Sequence, residues 1–327
     1  MKILYFTDTH IRGNTPKNRK DVFIDTLEMK FKELVAISKK LDVDYIIHGG
    51  DLFDRPDVSI SIVSRFAKII AEFEVPIYMI SGNHDIYGHN PETLSRTMLG
   101  LLNVLGLVEI INGKSVILEK DDVKVELSGQ PYVYDIDLAE NRDYYILKDK
   151  SKDADYSIHM VHGMLLDKPF IKGIPYTLID DIKGTQADIT LSGHYHRGFK
   201  TVKTEDDKYF INPGSLVRIT NSLLEIKRKP KIVLLDIDKE IKVENIYLKT
   251  ALSGEEVLDR KQIENSQFKN ERMLQFKETI NATMDFEKMD INEVLLQVSH
   301  SEAVEDKVIQ EALKRIASIQ MKSLRGV

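Results

Sequence analysis

Apolar and polar positions come in blocks along the first third of the chain. Lys2–Phe6 is an apolar run cut off by Thr7-Asp8-Thr9-His10, which predicts a buried strand ending at a polar loop. Between about residues 20 and 40, Phe23, Leu27, Phe31, Leu34 and Ile37 recur at helical spacing. Residues 45–47 form a second strand-like run, closed by His48-Gly49-Gly50-Asp51. After Pro56, the positions Ile62, Phe66, Ile69 and Ile70 mark the inner face of a second helix. Residues 76–80 predict a third strand, ended by Ser81-Gly82-Asn83-His84-Asp85. The order β-α-β-α-β with short loops predicts a largely parallel, layered sheet. Each polar cluster follows the carboxyl end of a strand, where such sheets build ligand sites.

The middle of the chain has a different texture. Residues 116–118, 123–127, 157–161, 189–191, 199–202 and 209–211 read as short strands separated by turns. Residues 232–237 and 241–248 read as a closing hairpin around Asp238-Lys239-Glu240. Together they predict a second sheet packed face to face with the first. Beyond about Thr250 the sequence turns polar, helix-favouring and almost free of Gly and Pro. Within it, Val304, Val308, Ala312, Ile316 and Ile319 form one stripe over residues 303–319, an amphipathic helix that either packs on its own domain or docks a partner in helix-in-groove fashion. The expected organisation is therefore a catalytic domain over 1–250 and a small, mainly helical accessory domain over 251–327.

Composition narrows the chemistry. With no cysteine among 327 residues, disulfides and thiolate catalysis are excluded, and any metal must be held by nitrogen and oxygen. A net charge of -6 does not advertise nucleic-acid binding, although metal ions can supply local positive charge. The apolar run at the N-terminus is too short for a signal-peptide core, and nothing approaches the ~20 apolar residues that span a bilayer. A soluble, cytoplasmic protein without membrane attachment is expected.

Five clusters carry chemistry: Asp8-Thr9-His10, Gly49-Gly50-Asp51-Leu52-Phe53-Asp54, Gly82-Asn83-His84-Asp85, His162-Gly163 and Gly193-His194-Tyr195-His196. In extended backbone, residues i and i+2 face the same side, so Asp8 with His10, and His194 with His196, can each face one metal. Asp51 follows two glycines and has two carboxylate oxygens, enough to bridge two cations. Imidazoles mixed with carboxylates suit Mn, Fe or Zn better than Mg or Ca. Two ions roughly 3.5–4 Å apart would clamp a phosphate and generate a hydroxide for in-line attack. His84 is the natural group to protonate the leaving oxygen, with Asp54 as a candidate to orient it.

The ordered set D-x-H, G-D-x-x-D, G-N-H-D, H-G and G-H-x-H resembles the calcineurin-like metallophosphoesterases over about residues 1–250. That resemblance implies a four-layer α/β/β/α sandwich with a dinuclear centre between its sheets. It implies one metal held by Asp8, His10, Asp51 and His196, and the other by Asp51, Asn83, His162 and His194, with His84 as the catalytic histidine. Within that superfamily, His48-Gly49-Gly50-Asp51-Leu52-Phe53-Asp54 and Asn212-Pro213-Gly214-Ser215-Leu216-Val217-Arg218 are similar to the SbcD-type DNA double-strand-break repair nucleases. This implies a Mn-dependent exonuclease and endonuclease acting on DNA in repair or recombination, working as a homodimer with an SMC-type ATPase subunit. The same scaffold also serves phosphodiesterases and phosphatases of small molecules or phosphoproteins, because function lives in the groove around the metals.

The remaining polar residues are read more plainly. His48, at a strand end, is expected to support the metal loop rather than ligate. His89 is expected to cap a loop or meet substrate, and His159 to be structural. His300 is expected to be solvated. Arg197, beside the last ligand pair, is a candidate phosphate contact, and the basic run Lys227-Arg228-Lys229-Pro230-Lys231 is either a solvated turn or a contact to a DNA backbone.

Overall fold

The computed structural model describes residues 1–261, Arg272, and residues 307, 308, 310–312, 314 and 315. The chain divides into two compact units, Met1–Arg260 and Lys261–Val327. In the second unit the described residues from Lys307 to Arg315 are helical, and Arg315 pairs with Glu311 at 2.8 Å, one helical turn away. The rest of the expected helix at 303–319, and His300, lie outside the described residues. Among the described residues, no helix is long and apolar enough to cross a membrane.

The first unit is built on two six-stranded sheets. In chain order the strands are β1 (Lys2–Phe6), β2 (Tyr45–His48), β3 (Ile77–Met79), β4 (Glu109–Ile110), β5 (Lys114–Lys120), β6 (Val123–Gln130), β7 (Tyr156–Gly163), β8 (Leu165–Leu166), β9 (Thr177–Leu178), β10 (Ile189–His194), β11 (Val202–Lys203), β12 (Tyr209–Ile211), β13 (Lys231–Ile237) and β14 (Ile241–Tyr247). One sheet runs β14-β13-β1-β2-β3-β4, the other β11-β12-β10-β7-β6-β5, and β8 and β9 form a small separate pair. Strands β1 to β4 are parallel, as are β6, β7, β10 and β12, so the carboxyl ends of both central sets point the same way within their sheets.

Side-chain alternation defines the layers. Ile3, Tyr5, Ile47 and Ile80 of the first sheet pack against Leu127, Ile158, Met160 and Leu191 of the second. The opposite face of the first sheet, with Leu4, Phe6 and Ile46, meets Leu27, Phe31 and Leu34 of α1 (Phe23–Leu41) and Val63, Phe66 and Ile70 of α2 (Ile60–Ala71). A third short helix, α3 (Met98–Val104), is capped by Thr97, whose hydroxyl accepts from Gly100 N–H. The outer face of the second sheet is covered by loops and by 3₁₀ turns at Ala139–Tyr145 and Ile179–Ile182, which bury Tyr145, Ile179 and Ile182 against Val161 and Phe210. Two helical layers thus enclose two sheets, the second being thin and 3₁₀ in character. Two more short helices follow, α4 (Leu223–Lys227) and α5 (Gly254–Val257).

Three details differ from the sequence expectation. Ile62 is only partly buried and Val63 takes the core position on α2, a slip of one residue on the helix face. Phe199 is a buried loop residue, and the edge strand begins only at Val202. The closing hairpin β13–β14 joins the first sheet, with β13 antiparallel to β1. The reason lies in β13 itself: Ile232 and Leu234 face the helices while Val233, Leu235 and Ile237 face the other sheet. A strand apolar on both faces belongs inside the layered stack.

Candidate metal centre

Five loops at the carboxyl ends of β1, β2, β3, β7 and β10 converge. The loop after β1 runs beside the one after β2 through backbone bonds from Asp8 N to Gly50 O (3.1 Å), His10 N to Asp51 O (3.1 Å) and Ile11 N to Leu52 O (2.8 Å). Asp8, His10, Asp51 and His194 all take positive φ values of 53°, 45°, 55° and 79°. Non-glycine residues rarely adopt this region, and backbone strain of this kind concentrates at functional sites. Asp8 and His10 therefore reach the same side through a left-handed loop, not through extended i, i+2 alternation.

The side chains form three groups, of which two share the Asp51 carboxylate and the third joins His10 to Asp54 and His84. Asp8, His10, Asp51 and His196 each offer a ligand atom within 4.8 Å of the others, and so do Asp51, His162 and His194. In the first group, His10 Nε2 lies 3.0 Å from His196 Nε2 and 3.8 Å from Asp51 Oδ2, and His196 Nε2 is 3.4 Å from Asp8 Oδ1. In the second, His162 Nε2 is 3.4 Å from Asp51 Oδ2 and 3.3 Å from Asn83 Oδ1. Asp51 Oδ1 accepts from the backbone N–H of His84 at 2.8 Å, while Oδ2 is buried and has no hydrogen-bond partner. A buried carboxylate oxygen left unpaired between two clusters of imidazole nitrogens is costly without a cation. The donor set, all nitrogen and oxygen, fits two divalent ions.

Supporting contacts aim these ligands. His162 Nδ1 donates to Gly49 O at 2.8 Å, which turns Nε2 toward Asp51. Space for that imidazole depends on Gly50, whose φ is 100° and whose missing Cβ would strike the His162 ring. Thr7 Oγ1 donates to Asp8 Oδ2 at 2.7 Å, and His194 N–H donates to the same carboxylate. His48 is buried, accepts from Gly50 N–H at Nδ1 (3.2 Å), and packs edge-on against Phe6, a supporting place behind the loop.

Charge follows the geometry. Burial works to raise the Asp8 carboxyl, but the hydrogen bond and charge of His196 outweigh it and hold it well below the carboxylate range. Asp51 likewise stays low against its burial, chiefly through the charge of His162. Burial opposes protonation of His162, yet the Asp51 carboxylate pushes its pKa up to about 9. His10 falls to about 3 and His194 to about 4, both driven first by burial, so both present neutral lone pairs.

His84 stands at the edge of the first group, its ring edge-on to His10 at 4.7 Å. Its Nδ1–H donates to the backbone carbonyl of Asp54 at 2.9 Å, leaving Nε2 free. The Asp54 carboxylate instead pairs with Arg12 at 3.1 Å and lies 3.8 Å from His10 Nδ1. Arg197, next to His196 in sequence, is exposed. His89 is exposed and meets Tyr132 edge-on at 5.3 Å, and Tyr132 in turn lies 5.7 Å from the His194 ring. His159 is buried between Ser128 Oγ (2.9 Å) and Tyr144 O (3.0 Å), away from the cluster.

Asp85, Thr7, Arg12 and Tyr132 also support the site, although none of them is among the expected site residues. Asp85 is fully buried and accepts from the N–H groups of Leu52 (3.3 Å), Phe53 (3.0 Å) and Gly82 (3.0 Å), clamping the β2 and β3 loops together. Burial, and then the nearby Asp51, raises its pKa to about 7. Its signal was present in Gly82-Asn83-His84-Asp85, where an acidic residue follows a turn with no surface reason to be there. Arg12 and Tyr132 carry no such signal, because their partners are distant in sequence.

A family model described as Calcineurin-like phosphoesterase matches residues 1–198. The chain is 24% identical over 290 residues to Double-strand break repair protein MRE11 of Encephalitozoon cuniculi (strain GB-M1), covering 76% of this chain and 48% of that protein. It is 26% identical over 306 residues to the protein of the same name from Gallus gallus, covering 76% of this chain and 41% of that one. DNA double-strand break repair protein Mre11 of Sulfurisphaera tokodaii is 29% identical over 205 residues, covering 60% of this chain and 49% of that protein. The chain thus spans about half the length, or less, of these curated relatives. With the family model covering the greater part of its sequence, the chain belongs to the calcineurin-like phosphoesterase family.

Proposed function

We propose that this protein is a two-metal phosphodiesterase that cleaves DNA in double-strand-break repair or recombination, with Mn²⁺ as its working ion. The observation that carries the chemistry is Asp51 Oδ2, buried, without a hydrogen-bond partner, and within 3.8 Å of His10 Nε2 and 3.4 Å of His162 Nε2. DNA as the substrate is supported by the printed names of the relatives and by the SbcD-type motifs around Asp51 and Ser215.

Asp8, His10, Asp51 and His196 would hold one ion, and Asp51, Asn83, His162 and His194 the other. Bound there, the pair supplies Lewis acidity toward the phosphoryl oxygens. His84 orients through Nδ1–H to the Asp54 carbonyl, so it acts as the imidazolium, whose Nε2–H passes to the leaving oxygen and leaves the neutral Nδ1–H ring on Asp54. Asp54 acts by placing His84 and by pairing with Arg12. Arg197, exposed beside His196, meets a substrate phosphate. The resemblance further suggests a homodimer joined to an SMC-type ATPase, with residues 251–327 as the accessory domain and the cytoplasm as its compartment.

The test is incubation with Mn²⁺ and labelled linear duplex and single-stranded DNA, beside a small aryl phosphodiester. DNA degradation that stops on chelation is expected. Turnover of the aryl ester with intact DNA would transfer the reading to a small-molecule phosphodiesterase on the same scaffold.

A further inference from the structure

Buried cations normally face carboxylates, yet one cluster in this protein faces backbone. Four consecutive carbonyls each accept from a cationic side chain: Ser215 O from Arg228 Nη1 (2.7 Å), Leu216 O from Lys30 Nζ (2.8 Å), Val217 O from Arg228 Nη2 (2.7 Å) and Arg218 O from Arg19 Nη1 (2.8 Å). Lys30 and Arg218 are buried, and the Arg228 side chain is 10% exposed. Arg228 is itself locked by buried Glu225, which takes Nε–H at 2.8 Å and Nη2–H at 2.9 Å. Arg218 closes the knot by donating to Arg228 O and Leu252 O.

The other side of this segment holds the metal loops. Ser215 Oγ lies 2.8 Å from both Asp8 O and Val217 O, either of which can take its proton, while Ser215 N–H donates to His196 O at 2.9 Å and Leu216 N–H to Thr7 O at 3.1 Å. Asp8 and His196 come from loops far apart in sequence, after β1 and β10, and meet on Ser215. Asp8 is also held in a left-handed conformation that needs outside support.

We infer that Arg228 is a positioning residue of the metal centre: its fork, with Lys30, fixes the 215–218 segment, and that segment sets where Asp8 and His196 stand. This accounts for one member of the basic run 227–231 without any contact to nucleic acid, because the donors of Arg228 go to Ser215, Val217 and Glu225. Lysine cannot reproduce a planar fork that serves two carbonyls and a carboxylate at once.

The inference rests on the two-metal reading but not on the substrate. Mn²⁺ titration of the full chain by calorimetry, with unfolding temperatures of the metal-free proteins, tests it. Wild type binds two ions, and Arg228→Lys weakens one of them by about tenfold to a hundredfold, the usual cost of losing a partner behind a ligand. The other site, which does not use Asp8 or His196, keeps its affinity. Lys30→Met, which removes a single donor to Leu216 O, shows the same one-site loss to a smaller degree and serves if Arg228→Lys does not fold. Two wild-type affinities in a folded variant, or equal weakening of both sites, overturns the positioning role. Wild type that binds no Mn²⁺ overturns the two-metal reading itself.

Discussion

The two halves of the cluster share Asp51 and differ in what holds them. His162 and His194 sit at the ends of β7 and β10, neighbouring parallel strands in which Gly193 pairs with His162 and His194 with Gly163. Ladder hydrogen bonds place that half, and Gly50 leaves it room. Asp8, His10 and His196 hang on loops beyond the strand ends: backbone bonds to the loop after β2 hold Asp8 and His10, and Thr7, Ser215 and the segment behind Ser215 supply the rest. A strand-end ligand inherits rigidity from the sheet, whereas a loop ligand needs buried polar partners assembled from elsewhere in the chain.

The shared residue gives the largest expected effect. Asp51→Asn removes the charge common to both halves, so calorimetry should find fewer than two Mn²⁺ ions. Several kcal/mol of transition-state stabilisation would go with them, on the order of a thousandfold or more in rate. Two ions bound at wild-type affinity would show that the halves are independent. Next come two substitutions outside the ligand set. His84→Ala should bind both ions and lose roughly 10²–10⁴ in turnover, whereas Asp54→Asn should lose less than about tenfold, since the bond to His84 is made by the Asp54 backbone carbonyl. A single-turnover assay at saturating metal separates them, and equal losses would mean that the Asp54 carboxylate does more than pair with Arg12.

Gly50→Ala isolates the strand-end half. At φ 100° with its new Cβ against the His162 imidazole, alanine should destabilise the fold by more than about 1 kcal/mol and weaken the ion held by His162 and His194. Loss confined to the Asp8 ion would reverse the assignment of supports. The smallest effect is a pH dependence of the strand platform. Burial lowers the pKa of His159 below its ordinary value of 6.5, and the ring is neutral between Ser128 Oγ and Tyr144 O. Because the folded pKa is depressed, the unfolded chain takes up the proton first, and stability is lost as pH falls below about 6.5. His159→Gln does not titrate there, so the gap in unfolding temperature between wild type and variant should narrow on acidification, at roughly 2–4 °C per kcal/mol for a domain of this size. A constant gap from pH 8 to pH 5 would show that His159 does not titrate on unfolding.

Much of this arrangement is legible before any coordinates. The apolar runs that become β1, β2 and β3, and the polar clusters that end them, already place Asp8, Asp51 and Asn83 at strand ends. Glycine pairs and His-x-His spacing mark side chains that must approach closely. The route by which Asp8 and His10 share a side is not legible: Asp and His tolerate left-handed φ better than most residues, but nothing local says which of them adopt it. Nor is the sheet that takes β13, since its apolar alternation fits a buried strand in either sheet.

By itself the sequence determined the layered α/β class, the nitrogen and oxygen donor set forced by the absence of cysteine, and the five loops that carry the ligands. Those are local properties, written in periodicity and in residue type. Only the tertiary structure decided that one oxygen of Asp51 would be left unpaired between two imidazole clusters, that His84 would lean on a carbonyl rather than a carboxylate, and that Arg228 would face inward. They depend on meetings at several ranges, from Arg228 with Ser215 and His84 with Asp54 to His162 with Gly49, none of which residue type or local periodicity specifies.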